Sequence, residues 1–223
     1  MKDKIIKVTG FRKFGKSRFI SFDNDFKSIQ PGQFLLSYHP LKDDLIKQIF
    51  YVTRIDETYF TIPENSNWEI GDELIFKGPG GNSFTDFSLA QNLLLISAGK
   101  TKGGLLSIID NGIKKGKNIA YLTNDPDLPL PNSIEILTPD MIDESLQWAD
   151  SVSIEIDRED LINFTNLLQK VKTTRKSSEI LIYSPILCSG ESHCMICAIK
   201  TTKRWVRSCH NGAVFKIFDL ELP

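Results

Sequence analysis

Asn92-Leu93-Leu94-Leu95-Ile96-Ser97 is a continuous apolar run, the pattern of a strand covered on both faces in a parallel sheet. The period of the chain changes there. Upstream lie short β-branched or aromatic runs at Ile5–Val8, Arg18–Phe22, Gln33–Tyr38, Ile49–Arg54 and Tyr59–Ile62. Asp23-Asn24, Pro31-Gly32 and Gly71-Asp72 punctuate them, and Gly71–Phe84 reads as a last strand running into a glycine-rich loop. Short strands at near-regular spacing predict a small antiparallel β-barrel over residues 1–90, because closure removes exposed edges.

Downstream, strand and helix alternate. Gly103–Lys115 has a helical apolar pattern in Leu105, Leu106, Ile108, Ile109 and Ile113, and Gly116 stops it. Strands are predicted at 118–123, 133–137, 151–156 and 179–183, with a capped turn at Thr138–Gln147 and a helix at Arg158–Lys172. Such alternation builds a parallel, doubly wound α/β sheet over 91–183. The remaining residues, 184–223, contain all four cysteines.

Those cysteines, Cys188, Cys194, Cys197 and Cys209, follow the spacing C-x5-C-x2-C-x11-C. A plant-type 2Fe–2S site has three clustered thiols, commonly C-x4-C-x2-C, and a later fourth. The pattern therefore predicts an iron–sulfur site with these four ligands. Structural zinc is an alternative, although it usually takes two CxxC knuckles and this chain has one. Disulfides need an oxidising compartment, and the first residues, Met-Lys-Asp-Lys, lead into a strand rather than the apolar core of a secretory signal. Inert core thiols would scatter, and these do not. His193 and His210 adjoin candidate ligands and are read as neighbours that tune the site by hydrogen bonding.

The charge pattern around them fits an anionic group. No acidic residue lies between Ser192 and Phe218, whereas Lys200, Lys203, Arg204, Arg207 and Lys216 are basic. An ordinary solvated hairpin would look the same. Trp205 is expected to shield the site or to face a partner. The whole chain, with 223 residues, 41% hydrophobic content and a formal net charge of -1, has the balance of a soluble protein. Nothing in that balance points to nucleic acid or lipid, and no apolar run approaches the roughly 20 residues that span a bilayer. Unbridged thiols without a signal predict a reducing, cytoplasmic setting. His39, His193 and His210 form no acid–base or nucleophilic constellation.

Three segments carry a family resemblance: Pro31-Gly32-Gln33-Phe34; Gly71-Asp72 followed by Gly78-Pro79-Gly80-Gly81-Asn82-Ser83-Phe84; and Arg207-Ser208-Cys209-His210-Asn211-Gly212-Ala213-Val214-Phe215. With barrel, parallel sheet and cysteine tail in that order, the chain resembles the electron-transfer subunit of dihydroorotate dehydrogenase, within the ferredoxin–NADP reductase superfamily. The resemblance spans nearly the full length. It implies an FAD-binding-like barrel at 1–90, a nucleotide-binding-like domain at 91–183 and a 2Fe–2S lobe at 184–223. It further implies a hetero-oligomer that passes electrons to or from a catalytic flavoprotein subunit, in pyrimidine biosynthesis. Lys47, Gly78, Pro79, Gly81 and Phe84 would then contact FAD.

The chain also departs from that family. In place of the Arg-Pro-x-Ser-like flavin motif stands Lys47-Gln48-Ile49-Phe50-Tyr51, where Lys47 offers a point charge without arginine's bidentate fork. The stretch between Thr61 and Trp68 is short. From sequence, FAD retained and FAD lost are both open. The family's glycine turn for a dinucleotide is replaced by Ala98-Gly99-Lys100-Thr101-Lys102-Gly103-Gly104, and its Cys-Gly-Pro by Ile154-Glu155-Ile156-Asp157. Carboxylates and bulky side chains there make NAD(P)H an unexpected substrate. A second reading is a non-catalytic scaffold or regulatory subunit, with a reductase-like fold and a structural metal.

Overall fold

The computed structural model describes residues 4–14, 17–23, 26, 28–42, 48–55, 57–61, 67–99, 103–124, 130–174, 177–184 and 194–222. The first part is a closed antiparallel barrel. Its strands are β1 (Lys4–Phe14), β2 (Ser17–Phe22), β3 (Phe34–Tyr38), β4 (Gln48–Ile55), β5 (Glu57–Thr61) and β6 (Glu73–Gly80), in the order β1-β2-β5-β4-β3-β6. Pairing of β6 back onto β1, with Ile6 opposite Leu74, completes the closure. Period-two alternation fills the interior: Val8, Ile20, Phe22, Phe50, Leu74 and Phe76 all point in. Phe22 meets Phe76 edge-on at 4.9 Å, and Phe50 stacks on Trp68 at 5.4 Å. Full burial of each such side chain is worth roughly 1.5–3 kcal/mol.

The second part is a six-stranded sheet built from β7 (Asn92–Ala98), α1 (Leu106–Lys114), β8 (Asn118–Leu122), β9 (Glu135–Leu137), α2 (Ile142–Trp148), β10 (Ser151–Asp157), α3 (Thr165–Thr173) and β11 (Ser177–Tyr183). The chain goes on through a hairpin of β12 (Ala198–Lys200) and β13 (Trp205–Arg207), a single helical turn α4 (Ser208–Asn211), and β14 (Val214–Lys216). The sheet order is β14-β11-β10-β7-β8-β9, parallel except for β14, which runs antiparallel beside β11. The apolar run of β7 behaves as its pattern predicts. Leu93 and Leu95 face α1, while Leu94 and Ile96 face the core beneath α2 and α3. Helices on both faces make the sheet doubly wound.

Several elements differ from the sequence expectation. The predicted helix at 158–172 opens instead as a 3-10 turn at Arg158–Asp160, and α-helix begins only at Thr165. The Thr165 hydroxyl donates to the Leu161 and Ile162 carbonyls, and Asn163 Nδ2 donates to Asp160, so local side chains hold the intervening turns. The predicted turn at Thr138–Gln147 contains the helix α2 after a 3-10 turn. Gly78-Pro79-Gly80 is the end of β6 rather than a loop, with Gly80 paired to Phe34. No helix among the described residues is long and apolar enough to cross a membrane.

Barrel and sheet share one apolar core. Phe19, Phe34, Leu36 and Tyr51 of the barrel pack with Leu105 of the β7–α1 turn and Leu181 and Tyr183 of β11. The segment after β6 ties them together. Thr85 donates to the buried Glu179 carboxylate from both its amide and its hydroxyl, each at 2.8 Å. Asn82 clamps Val214 across 132 residues: its Nδ2 donates to the Val214 carbonyl, and its Oδ1 accepts from the Val214 amide at 3.0 Å.

Candidate functional site

The cysteine segment is a turn followed by a hairpin. Met195 has a left-handed backbone, φ 58°, and the Ala198 amide donates to its carbonyl, so the chain reverses within Cys194-Met195-Ile196-Cys197. Cys197 leads straight into β12. Ala198 pairs with Arg207 in the hairpin, and the Ser208 amide then donates to the Cys197 carbonyl at 3.1 Å. That register sets Cys197 and α4, which carries Cys209, at the same end of the hairpin. Cys197 is 1% exposed, Cys209 half-buried against the same apolar core, and Cys194 exposed.

Of the four predicted ligands, Cys188 lies outside the described residues. Among the described residues, Cys194, Cys197 and Cys209 are not gathered with one another or with His, Asp or Glu into a ligand set of three. Two other features lie near the hairpin end. The Ser208 hydroxyl, next to Cys209, is buried and has no hydrogen-bond partner among the described residues. The Arg158 guanidinium donates to the Ile196 carbonyl within the CxxC turn, which places a cation beside it. Lys200, read as one of the basic neighbours, instead pairs with Glu221 at 2.6 Å. Trp205 is 57% exposed, and Met195, Ile196 and Phe218 also reach the surface.

Apart from Lys47, the residues that the resemblance implies for FAD lie on β6 and in the segment that follows it. Lys47 lies outside the described residues. Gly78, φ 153°, faces its own barrel: an added Cβ would fall 2.6 Å from Leu35 Cδ2 and 3.2 Å from the Phe34 carbonyl. Gly81, φ 79°, lies against the Phe34 ring and the Gly212 backbone. Phe84 is buried over Gly32, and Pro79 is an exposed strand residue. Packing accounts for three of these residue types without a ligand. The seam between β4 and the carboxyl ends of the sheet is likewise filled by the chain: Tyr51 meets Tyr183, and Gly103 sits against Thr53 and Phe19.

At the sheet's carboxyl edge lies a buried polar cluster. Glu155, whose carboxylate the sequence sets against a dinucleotide, is 0% exposed. Its Oε1 accepts from the Ser97 hydroxyl at 2.9 Å and the Tyr121 hydroxyl at 3.3 Å. Its Oε2 accepts from Tyr183 Oη at 2.7 Å and the Gly104 amide at 2.9 Å. Burial pushes the Glu155 carboxyl above the usual carboxylate range, against the pull of these donors, and burial beside Glu155 pushes the Tyr183 phenol up as well. Burial also raises the Tyr51 phenol, with Asp157 and Cys197 adding to the shift. The signal for this cluster was a glutamate alternating into an apolar strand, opposite a serine.

No family model matches the chain, and no curated protein does. Solved structures do. One, of an NADH-dependent reduced ferredoxin-NADP oxidoreductase studied for flavin-based electron bifurcation, is 16% identical, with a TM-score of 0.75 over 98% of this chain and 90% of that one. The ferredoxin reductase in carbazole 1,9a-dioxygenase is 13% identical, with a TM-score of 0.60 over 78% of this chain and 66% of that one. The H286L mutant of ferredoxin-NADP+ reductase from Plasmodium falciparum is 9% identical, with a TM-score of 0.58 over 81% and 96%. The chain has the ferredoxin reductase-like fold.

Proposed function

We propose that the chain is an electron-transfer subunit in which Cys188, Cys194, Cys197 and Cys209 hold a 2Fe–2S cluster that exchanges single electrons with a partner flavoprotein oxidoreductase. The observation that carries this reading is the hydrogen bond from the Ser208 amide to the Cys197 carbonyl, which brings two of the candidate ligands to one hairpin end beside a buried hydroxyl without a partner among the described residues. Such a cluster supplies one-electron redox chemistry. The chain's part is to position the thiolates, donate hydrogen bonds from Ser208, and shield one side with the core around Cys197. Arg158 offsets negative charge from below the CxxC turn.

The resemblance favours a dihydroorotate dehydrogenase-like catalytic subunit as partner. Exposed Met195, Ile196 and Trp205 beside Lys203 and Arg204 make a face of mixed apolar and basic character suited to such docking. We take 1–90, 91–183 and 184–223 as barrel, sheet and cysteine units of one chain, the last of which supplies β14 as an edge strand of the sheet. The fold is shared with a ferredoxin reductase described in an FAD apo form, and FAD bound by this chain between barrel and sheet would convert two-electron to one-electron transfer. Cytoplasmic placement follows from the need to keep the thiols reduced.

Metal, acid-labile sulfide and flavin analysis of anaerobically purified chain tests this. Iron and sulfide in equal amounts, with a reducible visible chromophore, is the expected result. A colourless protein holding zinc would overturn it in favour of the scaffold reading, in which the same thiols serve shape alone.

A further inference from the structure

We infer that the Glu155 side chain is a resident occupant of the phosphate position of this sheet, closing the crevice at its switch point to dinucleotides. Strand order identifies the place. From β7 the chain moves to β8 and β9 on one side and then to β10 and β11 on the other, so order reverses between β7 and β10. Open α/β sheets take ligands outside the carboxyl ends of that pair, with phosphate against the N-terminus of the helix that follows the first strand. Here Glu155 of β10 stands in register with Ser97 of β7. Its Oε2 lies 2.9 Å from the Gly104 amide, two residues before α1 begins at Leu106. A phosphate oxygen at that amide would have to stand where the carboxyl oxygen already is.

The glycines confirm whom the turn serves. A Cβ on Gly104 would fall 2.4 Å from Tyr183 Oη and 2.5 Å from Leu181 Cδ2, and one on Gly103 would fall 2.8 Å from Thr53 Cγ2. Both residues are bare so that the turn can approach the chain's own side chains. Ser97, Tyr121, Tyr183 and Gly104 converge as donors on one carboxyl group, so its removal strands several buried donors at once. The inference rests on the fold and stands whether or not the cysteines hold iron.

The test uses the full chain as wild type, Glu155→Gln and Glu155→Ala. Calorimetric titration of the wild type with NADH and with inorganic pyrophosphate is expected to show no saturable binding. Glu155→Ala is expected to lower the Tm by roughly 5 °C or more. Sodium formate, a free carboxylate that fits the vacated position, should restore part of that loss in a saturable manner, and sodium chloride at equal ionic strength should not. Glu155→Gln, which keeps the shape, should melt nearer the wild type and gain nothing from formate. Saturable binding of NADH or pyrophosphate by the wild type overturns the inference, as does an equal effect of formate on every protein that folds. Should Glu155→Ala not fold, the wild-type titration and the formate response of Glu155→Gln decide it.

Discussion

Tyr51 of the barrel meets Tyr183 of the sheet edge-on, with ring centroids 4.7 Å apart and planes at 84°. Tyr51 belongs to β4, whose neighbouring residue Phe50 points into the barrel, so alternation alone turns Tyr51 outward to the seam. This pair joins the barrel to the sheet. Tyr51→Ala should cost about 3–5 kcal/mol, the range for emptying a buried aromatic site, while Tyr51→Phe should stay within about 1 kcal/mol. Urea unfolding of the two variants beside the wild type measures both.

Asn82 should hold the end of the chain in place. Its side chain satisfies both the amide and the carbonyl of Val214, and Gly212 has no room for a Cβ beside it. Asn82→Ala leaves both groups without their partner and should cost about 1–3 kcal/mol. Hydrogen exchange is the direct readout. The Val214 amide should lose protection by more than the amides of the barrel interior do.

Stability should fall as pH rises through the range governed by Glu155. Among the described residues, the titratable groups that hydrogen-bond it are Tyr121 on β8 and Tyr183 on β11. Its carboxyl is raised by burial, so the folded chain holds that proton more tightly than the unfolded chain, whose value is about 4.3. The resulting stabilisation is fully present below that unfolded value. It is lost as pH rises through the folded one, at no more than about 1.4 kcal/mol per pH unit. Chemical unfolding across pH, compared with Glu155→Gln, should show the slope in the wild type and not in the variant.

Cys194 and Cys197 should separate metal loss from stability loss. Cys197 is buried in the shared core, whereas Cys194 is exposed. If both are ligands, Cys194→Ala and Cys197→Ala abolish iron incorporation alike. In metal-free protein only Cys197→Ala should lower stability, by about 1 kcal/mol for the lost core volume. Iron analysis and unfolding of the same preparations check the pair, and a Cys194→Ala protein with full iron would remove Cys194 from the ligand set.

The order of elements was legible because its signals are local. Alternation in runs such as Arg18–Phe22 marks barrel strands, and Asn92–Ser97 announces a strand covered on both faces, as the observed β2 and β7 show. Glycine positions carry a less specific signal. Gly78 and Gly81 belong to a motif associated with a cofactor, but the backbone around them is bare because Leu35 and Phe34 press on it. Sequence pattern cannot distinguish a glycine that admits a ligand from one that admits its own neighbour.

By itself the sequence determined that a barrel precedes a doubly wound sheet and that every thiol falls in the tail, since strand period and residue spacing need no knowledge of distant partners. Only the assembled chain decided that Glu155 turns inward to Ser97 and Gly104, that Asn82 grips Val214, and that Tyr51 closes on Tyr183. The reason is physical. A buried polar group is tolerable only where donors from several strands converge on it, and that convergence exists only once segments far apart in sequence have packed.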